Sequence, residues 1–256
     1  MEIGNLTFEI ITSMFSQLFH LVLYQPILNI FVLLYNVIPG HDIGIVILLI
    51  TILVRAAVYP LMSSSIKSQK AVQDLQPKLK EIKEQYKNDQ QKQATATMQL
   101  YKENKVNPFA SCLPLLIQLP ILIALYMVMR DGLISDNLGK DLYTFIYNPG
   151  KLNNISFWVF DMAKNNFVLA VLAGIAQFFQ TKAMMIKQPP KEAGAGAKDE
   201  QMMAMMNKQM LYFMPVMTVF IGATLPAGLT LYWFFSTLLT WGQQVLIYKQ
   251  RDSKKE

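Results

Sequence analysis

The chain has 256 residues, 53% hydrophobic and 16% charged, with a formal net charge of +6 and a pI near 9.2. Its apolar residues come in long blocks rather than alternating patterns, which excludes an ordinary water-soluble domain and points to an integral membrane protein. One cysteine, Cys112, excludes an internal disulfide framework and reads as a small buried packing residue; the basic excess reports topology before any nucleic-acid partner, so no DNA is expected.

Residues 1–42 hold no Lys or Arg and carry no cleavage pattern of a secretory signal, so they are expected to form an extracytoplasmic N-terminus. Within 18–38, Gln25, Asn29 and Asn36 share one narrow helical face. That spacing suits an amphipathic helix lying in the membrane interface, with an extra spanning helix as the alternative.

The next stretch, Ile43 to Met62, reads IGIVILLITILVRAAVYPLM and is long enough to cross a bilayer. At ~1.5 Å per residue, Arg55 lies roughly 18 Å from Ile43 and ~10 Å from Met62, where an arginine costs about 2.5–3.5 kcal/mol on insertion scales. Such a residue either snorkels to the headgroups or faces a bundle interior or wet cavity. The first span is placed at 43–66.

A polar block follows at 67–108. Leu75, Leu79, Ile82 and Tyr86 form one helical stripe, Asn88-Asp89 interrupts it, and Ala94, Met98 and Tyr101 form another. The pattern predicts a two-helix hairpin in water, entered near Pro77 and left at Asn107-Pro108.

The second span, 109–129, contains Pro114 and Pro120 as bending points and Gln118 as a polar side chain at depth. The loop 130–166 carries Tyr143, Tyr147 and Trp158, which suit an interfacial belt. A third span at 167–186 holds Gln177, Gln180 and Lys182. The segment 187–209 begins with Pro189-Pro190 and a Gly194-Ala-Gly-Ala linker and continues into Met202 to Met206. A short fourth span at 210–225 contains Pro215, Pro226-Ala-Gly228 makes a turn, 229–248 is the fifth span, and 249–256 is a basic tail.

Lys and Arg number nine in 67–108, five in 182–208 and four in 249–256, against four in 130–166 and none in 1–42. The positive-inside rule then places the N-terminus outside, and the hairpin and C-terminus in the cytoplasm.

No zinc-protease, P-loop, nucleophile-elbow or Cys/His pattern occurs, so neither metal nor cofactor is expected. Ser63 to Ser65 with Lys67 reads as a membrane boundary rather than a catalytic dyad, and the protein is expected not to be an enzyme. The polar residues at membrane depth are Thr51, Arg55, Gln118, Gln177, Gln180, Thr181 and the pair Tyr232-Trp233. None is an acid, so Arg55 has no ready ion-pair partner, which favours a wet cavity over a buried salt bridge. A small anion transporter or channel subunit is the reading from another class.

The stretches TILVRAAVYPL, LQPKLKEIKEQYKND, YKENKVNP, CLPLLIQLPILIALY and LPAGLTLYWFFSTLLTWGQQVLIYK occur in this order. Together they resemble the YidC-type membrane protein insertases, the family that includes the oxidase-assembly and Albino insertases. The resemblance covers about Leu18 to Lys249. It implies an all-α membrane protein of the bacterial plasma membrane, with five transmembrane helices around a hydrophilic groove, an interfacial N-terminal helix and a cytoplasmic two-helix hairpin. By motif, Arg55 matches the groove arginine, with Thr51, Gln177 and Trp233 as further groove positions beside the polar Gln118. Leu122, Ile221 and the Tyr232-Trp233 pair match an apolar slide for client helices. The implied partners are client membrane proteins and lipids, with contact to a ribosome or the Sec translocon left open.

Overall fold

The structure is a computed structural model and describes residues 12–134, 138–184 and 197–252. The Pro189-Pro190 and Gly194 linker and the tail lysines Lys254 and Lys255 lie outside the described residues, as do the side chains of Met202 to Met206. Helix α1 covers Thr12–Val37 with a π-turn at His20–Tyr24. The others are α2 (Ile43–Asp74), α3 (Gln76–Gln85), α4 (Gln90–Glu103), α5 (Leu113–Met129), α6 (Phe167–Met184), α7 (Ala197–Gly222) and α8 (Ala227–Asp252). Helices α1, α2, α5 with its following turn, and α6 are long and apolar enough to cross a membrane, whereas the apolar part of α7, Leu211–Gly222, is shorter.

Helix α2 starts at Ile43 because Asp42 caps it: its Oδ1 accepts the N–H groups of Gly44 at 2.8 Å and Ile45 at 3.3 Å. Two of the helix's unpaired N-terminal donors are thereby satisfied. The preceding turn takes left-handed backbone at Gly40 (φ 80°) and His41 (φ 50°), the first of which only glycine adopts without steric cost. Pro60 withholds one N–H inside α2, yet the helix continues to Asp74, past the end expected at residue 66. The hairpin proper therefore begins at Gln76. Asp89 caps α4 by accepting from the Lys92 N–H at 3.0 Å. Leu75 and Leu79 are buried, while Met98 of the second stripe stands 54% exposed.

The loop 130–166 contains a ribbon the sequence does not reveal. Ile155–Ser156 (β1) and Phe160–Asp161 (β2) pair antiparallel, with Phe157 and Trp158 between them in left-handed backbone. The Phe157 N–H donates to Asp42 Oδ2 at 2.7 Å, and the Ser156 hydroxyl donates to Asp42 Oδ1. Partial burial alone would raise the Asp42 carboxyl. The hydrogen bonds from Ser156, Phe157, Ile45 and Gly44 outweigh it, so the group sits below the ordinary carboxylate range. Met162 and Lys164 accept the N–H groups of Gly228 and Ala227 at 3.0 and 2.7 Å, so the same ribbon ties the start of α8 to the start of α2.

The three amides expected on one face of α1 all dock on this loop. Gln25 donates to the Asp141 carbonyl at 3.3 Å, Asn36 to the Tyr147 carbonyl at 2.7 Å, and Asn29 to the Asp141 carbonyl at 2.9 Å while accepting the Tyr143 N–H at 2.7 Å. Tyr35 adds a bond from the Asn153 N–H at 2.9 Å. The half of α1 from Gln25 to Asn36 thus follows the loop.

The apolar core lies at this loop end of the bundle. It gathers Leu28, Phe31 and Val32 from α1, Ile43, Ile47 and Ile50 from α2, Leu125 and Met129 from α5, Met162 from the loop and Leu229 from α8. Towards the hairpin end, α2 is joined to α8 and to the end of α6 by polar side chains instead. Gln243 donates to the Ser63 hydroxyl at 3.0 Å, and Gln73 donates to the Met184 carbonyl at 2.7 Å and the Tyr248 hydroxyl at 3.3 Å.

Candidate functional site: an arginine at the edge of the core

Between Ile52 and Leu61 no residue of α2 is buried, although buried residues occur on both sides of this interval. Arg55 stands in it, just past the point where the core ends. Its Nε donates to the Ser236 hydroxyl at 3.1 Å, and its Nη2 donates to Ser236 as well and to Gln118 Oε1 at 3.3 Å. Gln118 Nε2 in turn donates to the Tyr232 hydroxyl at 3.0 Å. Nη1 donates to no described group. Among the described residues no carboxylate lies within ion-pair distance of Arg55.

Three helices build this cluster. The Asp42 cap sets the register of α2, α5 brings Gln118 from a half that contains no buried residue, and α8 supplies Tyr232 and Ser236, 0% and 2% exposed. A guanidinium held only by neutral oxygens keeps its full charge, and its remaining donors need water or an incoming acceptor. Such a site attracts anionic or strongly polar groups into an otherwise apolar environment.

The structure thus joins Arg55, Gln118 and Tyr232 directly. Thr51 is buried one turn earlier, where its hydroxyl donates to the Ile47 carbonyl at 2.5 Å rather than to Arg55. Gln177 donates to Thr181 of its own helix at 3.4 Å and makes no bond to the arginine. Trp233 and Leu122 are half-buried, Leu122 against the core, and Ile221 is 37% exposed on α7. Cys112 is exposed, against the buried packing role read from its apolar surroundings, because it opens the uncovered half of α5.

Sequence reasoning missed Ser236. The signal was the spacing of Tyr232, Ser236, Thr240 and Gln244, four residues apart along one face of α8. All four are buried, and Thr240 donates to the Ser236 carbonyl at 2.7 Å.

The sequence model of the 60Kd inner membrane protein family matches residues 33–255. The chain belongs to this family. Family relatives include the membrane protein insertase YidC of Fusobacterium nucleatum, 37% identical over 209 residues that cover 82% of this chain and 87% of that one. The YidC of Clostridium tetani is 35% identical, with 82% and 84% covered, and the insertase MisCA of Bacillus subtilis is 36% identical, with 84% and 74% covered. A crystal structure of an active YidC insertase with its first transmembrane domain resolved superposes with a TM-score of 0.54 at 26% identity, over 88% of this chain and 45% of that one. The helical membrane fold expected from the sequence is therefore that of its family, with the short β1–β2 ribbon added.

Proposed function

We propose that this protein is a membrane insertase, not an enzyme, that moves short hydrophilic ends of client membrane proteins across the bacterial plasma membrane through a groove around Arg55. The observation that carries this reading is a charged guanidinium whose partners among the described residues are all neutral, on the uncovered stretch of α2 where the loop-end core stops. The charge keeps water and polar surface inside one half of the membrane, so a client's hydrophilic tail avoids direct contact with hydrocarbon. Acidic groups in that tail are drawn to Arg55, and the membrane potential favours their outward movement by about 2.3 kcal/mol per charge per 100 mV. The client's apolar helix leaves past Leu122, Ile221 and Trp233 into lipid.

In this reading the spans are 43–66, 109–129, 167–186, 210–225 and 229–248. The N-terminal helix and the loop 130–166 face outward, while the hairpin 67–108, the segment 187–209 and the tail 249–256 face the cytoplasm. The distribution of Lys and Arg supports that orientation. The nine basic residues of 67–108, two of them on the last turns of α2, suit lipid headgroups, a ribosome or a Sec translocon alike. A solute path would need an opening at the loop end, which the buried apolar core fills; this disfavours a transporter.

The test is insertion of a small single-span client with an acidic tail into liposomes containing the purified protein. Arg55→Ala lowers insertion about tenfold, the equivalent of roughly 1.4 kcal/mol, and Arg55→Lys restores most of it if charge rather than guanidinium geometry matters. Unchanged insertion by Arg55→Ala would remove the charge from the mechanism.

A further inference from the structure

We propose that Gln118 is the internal occupant of Arg55, a neutral amide that holds the place taken by a client's polar group and fastens the uncovered half of α5 until it is displaced. The proposal rests on the reading of the site as an insertase groove. Gln118 uses both ends of its amide at once: Oε1 accepts from Arg55 Nη2 at 3.3 Å and Nε2 donates to Tyr232 at 3.0 Å. A carboxamide presents to a guanidinium the same kind of oxygen as a carboxylate, without the charge. A client carboxylate therefore forms the stronger, charge-assisted bond and replaces it.

The segment carrying Gln118 is built to yield. From Leu113 to Pro120 no residue is buried, whereas Ile121, Ala124, Leu125, Val128 and Met129 beyond it are. Pro120 lacks the N–H that would close on the Leu116 carbonyl, which weakens the helix where the packed half begins. The other end is fixed, because the Ser65 hydroxyl donates to the Ala110 carbonyl at 2.5 Å. Between these anchors α5 is a strap across the groove, and Gln118 is its polar tie to α2 and α8. Ser236 stays on Arg55 when the tie opens, since it belongs to the polar seam between α2 and α8.

The decisive variants are Gln118→Glu and Gln118→Ala in the full chain, assayed with the acidic-tail client in liposomes. Gln118→Glu places a carboxylate of the protein itself against Arg55, and an ion pair in this setting is costly to break. It lowers insertion about tenfold. Gln118→Ala empties the place and speeds insertion about threefold. Gln118→Glu at the wild-type rate, or Gln118→Ala at or below it, overturns the proposal while leaving the groove reading intact. Wild-type protein that inserts no more client than protein-free liposomes overturns both.

A second measurement does not depend on the folding of the glutamate variant. Spin labels at Leu116→Cys on the strap and Leu246→Cys on α8, 61% and 64% exposed in the native chain, are placed in a Cys112→Ser background. Gln118→Ala lengthens and broadens the distance distribution between them. An unchanged distribution overturns the strap.

Discussion

Arg55 is the residue on which the site depends, and its environment is defined by what surrounds it: hydroxyls and an amide, with no described acid within ion-pair reach. Ser236 is its nearest acceptor, meeting both Nε and Nη2. Hydrogen bonds to charged groups contribute ~1.5–3 kcal/mol, so Ser236→Ala loosens the guanidinium and lowers client insertion, while Ser236→Thr, which keeps the hydroxyl, retains it. Equal insertion by the alanine and threonine variants would show that the hydroxyl is dispensable. Arg55, Gln118 and Tyr232 could be read from the sequence because each is out of place, or nearly so, in an apolar run. Ser236 could not, because a serine in a spanning helix is ordinary helix-to-helix glue and costs little. Only its place in the ladder of Tyr232, Thr240 and Gln244 marked it. Thr51 and Gln177 were expected beside Arg55, yet the hydrogen bonds their side chains donate go to their own helices.

Among the elements, the ends of helices set the position of the Arg55 cluster. Asp42 caps α2 and also receives β1 and its turn, so one carboxylate fixes the depth of Arg55 relative to the loop end. Because the folded-state carboxyl sits below its ordinary range, its contribution is present above that range and is lost as pH falls through the lower folded value. Thermal unfolding of the detergent-solubilised protein should therefore show an acid-side loss of stability that Asp42→Asn reduces. Asp42→Ala also removes the cap, at a cost of ~1 kcal/mol. Gly44 cannot be enlarged without collision, since a Cβ there would run into the Ser156 hydroxyl and the Phe157 ring. Gly44→Ala is expected to lower the melting temperature, and an unchanged midpoint would mean that β1 and its turn move aside freely. The apolar helices were legible in their long apolar blocks, and the two short helices after α2 in the stripes of Leu79 and Ile82 and of Ala94, Met98 and Tyr101. The β1–β2 ribbon was not, because two residue pairs give no alternation to read, and its docking partner Asp42 is remote in sequence.

At the scale of the molecule, the chain divides into a packed loop end and a less covered hairpin end. Composition revealed a membrane protein and charge counting suggested its orientation, but neither could show where the core would stop. That depends on which helices pair: apolar contacts among α1, α2, α5 and α8 fill the loop end, and the polar seam of Ser63, Gln73, Gln243 and Tyr248 takes over beyond it. Helix α1 shows the limit of length as a guide. It is long and apolar enough to span, yet the amides of its second half, Gln25, Asn29 and Asn36, are bound to the loop. The proposed groove is wet, open at the hairpin end and closed at the loop end, so solvent access beside Arg55 decides it. Gln118→Cys in a Cys112→Ser background is exposed to a membrane-impermeant maleimide in sealed vesicles of each orientation. Labelling is expected only when the hairpin side faces the reagent; labelling from the loop side, or from neither, would mean that no such groove surrounds Arg55.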